Sequence, residues 1–318
     1  YIINGEEGSG KMNLAIHFAK ALQCERNNSN KAINEDGERI TVPGTACGQC
    51  KSCKQTDSKN QPDIKYITYE KSGIGVDEIR EQINDDIDIK PYSSPYKIYI
   101  VPESEKMTVQ AQNALLKTIE EPPEYAIIIL LTTNADTFLQ TILSRCVMLN
   151  IRPVKEDIIK NQLTSQYGVG DYEARVAATF SNGNPGKAIK LATSEEFKEL
   201  KQYVVGMFMS LEKGGMDIIG EAIKKTGTFK KQIDEYFSLM RIWFRDILVY
   251  KATKEEDQII FQDEYMTIEK MSQTYSFDDI NDILKAIDLA ESRIKSNVNF
   301  DSTIEILLLS IKEKTSGK

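Results

Sequence analysis

Short apolar runs alternate with amphipathic stretches through the first half of the chain. Runs at 1–4, 64–69, 97–101, 126–132 and 147–150 predict strands. Stretches 11–24, 76–87, 108–120 and 136–142 carry the roughly 3.6-residue spacing of helices. Strands that alternate with helices predict a parallel sheet covered on both faces. Ile127-Ile128-Ile129-Leu130-Leu131 has no polar interruption, as expected of a strand buried on both sides. Thr108 is placed to cap its helix, and Pro122-Pro123 cannot continue it.

After Arg152-Pro153 no strand pattern follows. Stretches 155–167, 171–180 and 185–192 predict three short helices, and the chain then stays helical to about 311. The long amphipathic pieces there are 229–251, 277–296 and 301–312. In the last, Ile304, Leu307, Leu308 and Ile311 share one face. The expected division is an α/β domain over 1–152, a small three-helix domain over 153–195 and an all-helical domain over 196–318. Residues 27–38 are polar and without pattern, and predict a mobile loop.

Composition narrows the function classes. The longest wholly apolar run is six residues, 126–131, far below the ~20 of a membrane span. The chain opens directly on Tyr1-Ile2-Ile3-Asn4, without an initiator Met, a basic segment or a cleavage site. Further sequence is therefore expected upstream of Tyr1. His17 is the one histidine, which argues against Ser-His-Asp or Cys-His chemistry. The net charge of −8 argues against binding nucleic acid by overall charge, leaving a local patch or a larger assembly.

Gly5-Glu6-Glu7-Gly8-Ser9-Gly10-Lys11-Met12 matches the phosphate-loop pattern G-x-x-x-x-G-K, between a predicted strand and a predicted helix. Backbone N–H groups of such a loop cradle phosphate, and Lys11 would reach the β- and γ-phosphates. The next position should be a hydroxyl that helps hold Mg²⁺; here it is Met12, a poor ligand for a hard cation. The apolar strand 98–101 should end in Asp, and Pro102 follows instead, then Glu103-Ser104-Glu105. Two metal-holding groups are missing, so the expectation is a loop that kept its shape and lost its chemistry. Replacement of the lost Asp by Glu103 or Glu105, or weak nucleotide binding through Lys11, is the alternative.

Cys47-Gly48-Gln49-Cys50-Lys51-Ser52-Cys53 is C-x2-C-x2-C, with Cys24 upstream. Four thiolates suit a closed, structural zinc site in a reducing compartment. An iron–sulfur cluster is the alternative. Cys146 lies at a predicted strand start and reads as core. Asn134 follows a strand end that would face the phosphate loop, where it could order a water or simply form a turn. Arg145, in Ser144-Arg145-Cys146, could project into a neighbour's nucleotide site or form a surface ion pair.

The modified phosphate loop, the four cysteines and Ser144-Arg145-Cys146 resemble the clamp-loader subunits of bacterial DNA polymerase III, in the AAA+ superfamily. So does the run Met107-Thr108-Val109-Gln110-Ala111-Gln112-Asn113-Ala114-Leu115-Leu116-Lys117-Thr118-Ile119-Glu120-Glu121-Pro122-Pro123. Within that family the degenerate loop is similar to the delta-prime group. The likeness is strong over 1–192 and weaker to 297–309. It implies an AAA+ module, a helical lid and a C-terminal collar that joins five subunits in a ring. It implies a stator that does not hydrolyse ATP, and Arg145 completing the ATP site of an adjacent gamma/tau motor subunit. Partners would be the motor and delta subunits, the sliding clamp and primer–template DNA, in the cytoplasm. A lid Arg of the motor subunits is replaced near Gly186, with Lys187 one position along. Gly5, Gly8, Gly10, Lys11 and Asn134 would form the degenerate phosphate site. Lys106 and Lys117 flank the specific helix and are the candidates for DNA phosphates, against a reading as solvated lysines. The competing readings are an active motor ATPase of the same superfamily and a zinc-dependent DNA-binding module. The second lacks a basic recognition helix.

Overall fold

Period-two alternation sorts the strands of the first half onto two apolar layers. A computed structural model describes residues 1–29, 31–33, 39–41, 44–70, 73–213 and 217–316. The strands are β1 (Ile2–Asn4), β2 (Lys31–Ile33), β3 (Arg39–Thr41), β4 (Ile64–Tyr66), β5 (Lys97–Val101), β6 (Ala126–Thr132) and β7 (Met148–Asn150). Five of them form one all-parallel sheet in the order β4-β5-β6-β1-β7, while β2 and β3 pair antiparallel by themselves. Ile3, Ile98, Ile100, Ile129 and Leu131 point to one face. Ile2, Tyr99, Val101 and Leu130 point to the other. Side chains alternate across a strand, so each apolar run feeds both layers.

The first layer is covered by α1 (Lys11–Leu22) through Ala15, Ala19 and Leu22. Two short helices follow, α2 (Glu25–Ser29) and α3 (Lys51–Asp57). The second layer is covered by the stretch predicted at 76–87 and by the helix that follows Thr108. That stretch is α4 (Val76–Ile79), a π-helical turn over Arg80–Asn84, and α5 (Asp85–Ile87). In α6 (Val109–Glu120), Thr108 Oγ1 accepts from Ala111 N–H as the N-cap. The helix α7 (Gln140–Leu143) then leads into β7.

The polar stretch 27–38 differs from the expected loop where it is described. Its start lies in α2, and Lys31–Ile33 pairs with Arg39–Thr41; Asn30 and 34–38 fall outside the described residues. The predicted strand at 64–69 also ends early, at Tyr66. Gln82 takes both the N–H and the C=O of Thr68, so the backbone there leaves the sheet.

Chain contacts divide the molecule into two units: Tyr1–Pro153 with Asn184–Gly186, and Val154–Gly183 with Lys187–Lys318. The second is all helical among its described residues. It holds α8 (Glu156–Tyr167), α9 (Asp171–Phe180), α10 (Pro185–Thr193, after its first residues), α11 (Glu195–Lys213) and α12 (Asp217–Thr226). After these come α13 (Ile233–Thr253), α14 (Tyr265–Thr274), α15 (Phe277–Lys295) and α16 (Phe300–Ser316). One apolar core runs through them from Ile159 to Ile311, centred on Trp243, Phe208, Phe244 and Phe261. The helix predicted at 229–251 starts as a 3₁₀ turn over Gly227–Gln232, because Phe229 leaves helical geometry to stack on Tyr203. Ser276 and Asp279 cap α15 reciprocally.

Candidate functional site

The phosphate loop runs from the end of β1 to Lys11, the first residue of α1. Gly8 (φ 81°) and Gly10 (φ 92°) adopt left-handed backbone, which explains glycine at both positions. Gly5 N–H donates to Thr132 O (3.1 Å) and Ser9 N–H to Glu6 O (3.2 Å). Lys11 Nζ donates to Gly5 O (2.6 Å) and Glu6 O (2.7 Å). Burial pulls the ammonium below its usual range, against the opposing charges of Glu105, Glu7 and Glu6. Ser9 Oγ is buried with no hydrogen-bond partner among the described residues.

Beside the loop lies a cavity of about 620 Å³, lined by Gly8, Lys11, Met12, Pro102, Glu103 and Glu105 among others. Met12 and Pro102 thus lie on the wall of the same cavity as Lys11. Both carboxylates that could replace the missing Asp are engaged. Glu103, itself left-handed (φ 46°), accepts from Lys106 Nζ (2.8 Å) and from the Tyr69 hydroxyl. Lys106 holds its carboxyl below the usual range. Glu105 accepts from Thr133 Oγ1 (2.8 Å). Lys106, a candidate for DNA phosphates, is thereby committed to Glu103 and Tyr69. Asn134 Oδ1 accepts from Asp136 N–H (3.0 Å), the geometry of a turn-forming asparagine, and Asn134 is not in the cavity lining.

The four cysteines converge. Sγ atoms of Cys24, Cys47, Cys50 and Cys53 all lie within 4.8 Å of one another, and Cys47 and Cys53 are 3.9 Å apart. Four sulfurs about 2.3 Å from one tetrahedral ion stand about 3.8 Å apart, so the set fits a single zinc ion. A multi-iron cluster needs sulfurs spread over several metals. The local chain builds the cup. Cys24 follows the end of α1, Gly48 (φ 71°) turns the backbone between Cys47 and Cys50, and Cys50 caps α3. Backbone N–H groups point at sulfur: Cys47 N–H at Cys24, Cys50 N–H at Cys47, Cys53 N–H at Cys50, each 3.4 Å. N–H groups of Gln49 and Cys50 bring the Cys47 thiol down to about 6, while burial pushes Cys53 up. Four thiolates this close require a cation among them, and the residues fit a structural zinc ion. Lys20–Asp57 fastens α1 to α3 beside the cup.

Arg145 lies just past α7, next to Cys146, whose thiol burial pushes up. Its Nε pairs with Glu120 Oε1 (3.0 Å) at the end of α6, and its Nη1 donates to Thr141 O (3.0 Å). The pair is half exposed. Glu120 was not singled out by the sequence, because 25 positions separate the two and no periodicity links them. The resemblance placed Gly186 near a nucleotide-contacting Arg of the motor subunits but did not foresee direct bonds to the loop: Asn184 Nδ2 donates to Glu7 O (2.7 Å) and Gly186 N–H to Gly8 O (3.0 Å).

Residues 1–155 match the family described as DNA polymerase III, delta subunit, and residues 220–313 match DNA polymerase III, delta subunit, C terminal. DNA polymerase III subunit delta' of Bacillus subtilis is 26% identical over 317 residues, covering 98% of this chain and 90% of that protein. The chain belongs to the DNA polymerase III delta-subunit family. Subunit tau of the same organism is 32% identical over 196 residues, which is 60% of this chain and 32% of tau. Among solved structures, a gamma subunit-related protein of Thermotoga maritima aligns over 99% of this chain and 94% of its own, at 21% identity and a TM-score of 0.38. The parallel sheet with its phosphate loop and the helical second half agree with the AAA+ architecture the resemblance implied. No helix of the described residues is long and apolar enough to cross a membrane.

Proposed function

We propose that this chain is a non-hydrolysing, delta-prime-type subunit of a bacterial clamp loader, which lends Arg145 to the ATP site of a neighbouring motor subunit. One observation carries the first half: Met12 and Pro102 line the cavity where Mg²⁺ would be held, and the nearby carboxylates are spent on Lys106, Tyr69 and Thr133. Without the metal, charge developing on a transferred phosphoryl group goes unneutralised. Gly5, Gly8, Gly10 and Lys11 keep the cradle, and the turn at Asn134 flanks it. In this reading 153–195 is the lid and 196–318 the collar that joins five subunits. The partners are the gamma/tau-like motor and delta subunits, the sliding clamp and primer–template DNA, in the cytoplasm. The purified chain with ATP and Mg²⁺ is expected to release phosphate no faster than buffer. Mg²⁺-dependent turnover that disappears with Lys11→Ala would instead make it a motor.

The second half rests on Arg145 being held at the surface rather than buried. An exposed ion pair is worth only about 0–1 kcal/mol, so Glu120 can orient the guanidinium and still release it to a phosphate. Glu120→Gln is expected to slow DNA-stimulated ATP hydrolysis by a reconstituted loader about two- to fivefold. The double substitution with Arg145→Ala should be no slower than Arg145→Ala alone, as a double-mutant cycle would read. Additive losses would separate the two residues.

A further inference from the structure

Four consecutive carbonyl groups of the phosphate loop are held by donors from this chain. Gly5 O takes Lys11 Nζ; Glu6 O takes Lys11 Nζ and Ser9 N–H. Glu7 O takes Asn184 Nδ2 (2.7 Å), and Gly8 O takes Gly186 N–H (3.0 Å). The last two donors come from Asn184–Gly186, which belongs to the first unit although 177 positions separate Asn184 from Glu7. The approach is as close as backbone allows. A Cβ on residue 186 would stand 2.7 Å from both Cα and O of Gly8, and backbone atoms cannot swing aside as a flexible side chain can. Pro185 opens α10 with its fixed φ and no N–H to satisfy. Gly186 N–H, which has no partner within the first turn of a helix, is satisfied by the loop.

A glycine-rich loop with left-handed residues at 8 and 10 has little order of its own, since glycine loses more freedom on folding than any other residue. Something must fix it. We propose that Asn184–Gly186 is a latch that fixes the phosphate loop in place of a nucleotide. Asn184 and Gly186 are positioning residues: one reaches the loop through its amide, the other through its N–H and its lack of a side chain. The latch rests on the reading of this loop as one that does not turn nucleotide over, and deepens it. The loop is ordered at all times, so the subunit's shape does not follow the nucleotide cycle of its neighbours.

The test is amide hydrogen exchange on the full chain, read at Ser9 and Gly186, with amides of β5 and β6 as internal references. In the unaltered protein both amides should be protected without nucleotide, and millimolar MgATP should not slow them further. Asn184→Ala removes one of the two latch bonds and should speed both amides about tenfold, leaving the references unchanged. Gly186→Ala should do the same or more. If it does not fold, Asn184→Ala decides alone. Unchanged exchange at Ser9 and Gly186 in Asn184→Ala overturns the latch. So does protection that appears only with MgATP, or a rise shared equally by the references. ATP turnover by the isolated chain reports separately on the non-hydrolysing reading, so the two can fail independently.

Discussion

Arg145→Ala is expected to leave this chain folded and assembled while disabling one ATP site of the loader. An arginine supplied in trans is worth about 10³–10⁵ in rate. The loss should therefore be about a thousandfold at the affected site, although total turnover by several motor subunits falls less. The measurement is single-turnover hydrolysis by loaders reconstituted with DNA and clamp, in which one motor subunit at a time keeps its phosphate-loop lysine. One of those loaders should lose hydrolysis with Arg145→Ala, and the others should keep theirs. Arg145→Lys should not rescue it, because a lysine presents a point charge where the planar guanidinium offers a fork of donors. Equal hydrolysis in every reconstituted loader would remove the finger from the proposal. Stability should hardly move, since the pair with Glu120 is half exposed.

Loss of zinc is expected to be the most damaging single change to the first unit. Two of the four thiols, Cys24 and Cys53, are fully buried, and without a cation they must either stay protonated or sit as charges in the core. Metal-binding free energy is folding free energy. Cys50→Ala removes both a ligand and the cap of α3, and should destabilise the unit by about 4 kcal/mol or more. For a domain of this size that lowers Tm by about 10 °C. Strong chelation at elevated temperature should release close to one zinc per chain and produce the same shift, whereas Cys146→Ser should not. Folded protein with no bound metal would end the assignment.

How far the sequence reached follows from where each signal is written. Parallel strands buried on two sides show as uninterrupted apolar runs, so β5 and β6 are legible to the residue. The cysteine cup was visible because three ligands sit in seven positions, and the phosphate loop because its glycines have a fixed spacing. What stayed hidden depends on contacts across long separations. The break in the helix at Arg80–Asn84 and the turn around Phe229 come from backbone geometry and ring stacking, not from residue periodicity. The short end of β4 depends on the Gln82 amide. Asn134 could be read two ways, and its amide oxygen is found on a local N–H. Arg145 could also be read two ways, and the folded chain gives it a home partner in Glu120 that no local pattern announced.

The helix α1 begins at Lys11 and ends at Leu22, two residues before Cys24. Its twelve residues make a rod about 18 Å long, with the phosphate loop at one tip and the cysteine cup at the other. Any oxidant or chelator that attacks the thiols loosens the anchor of that rod. Damage of this kind would register at the lysine without a single bond there having been touched, so air oxidation of the thiols would loosen the phosphate loop while the helix content stays unchanged.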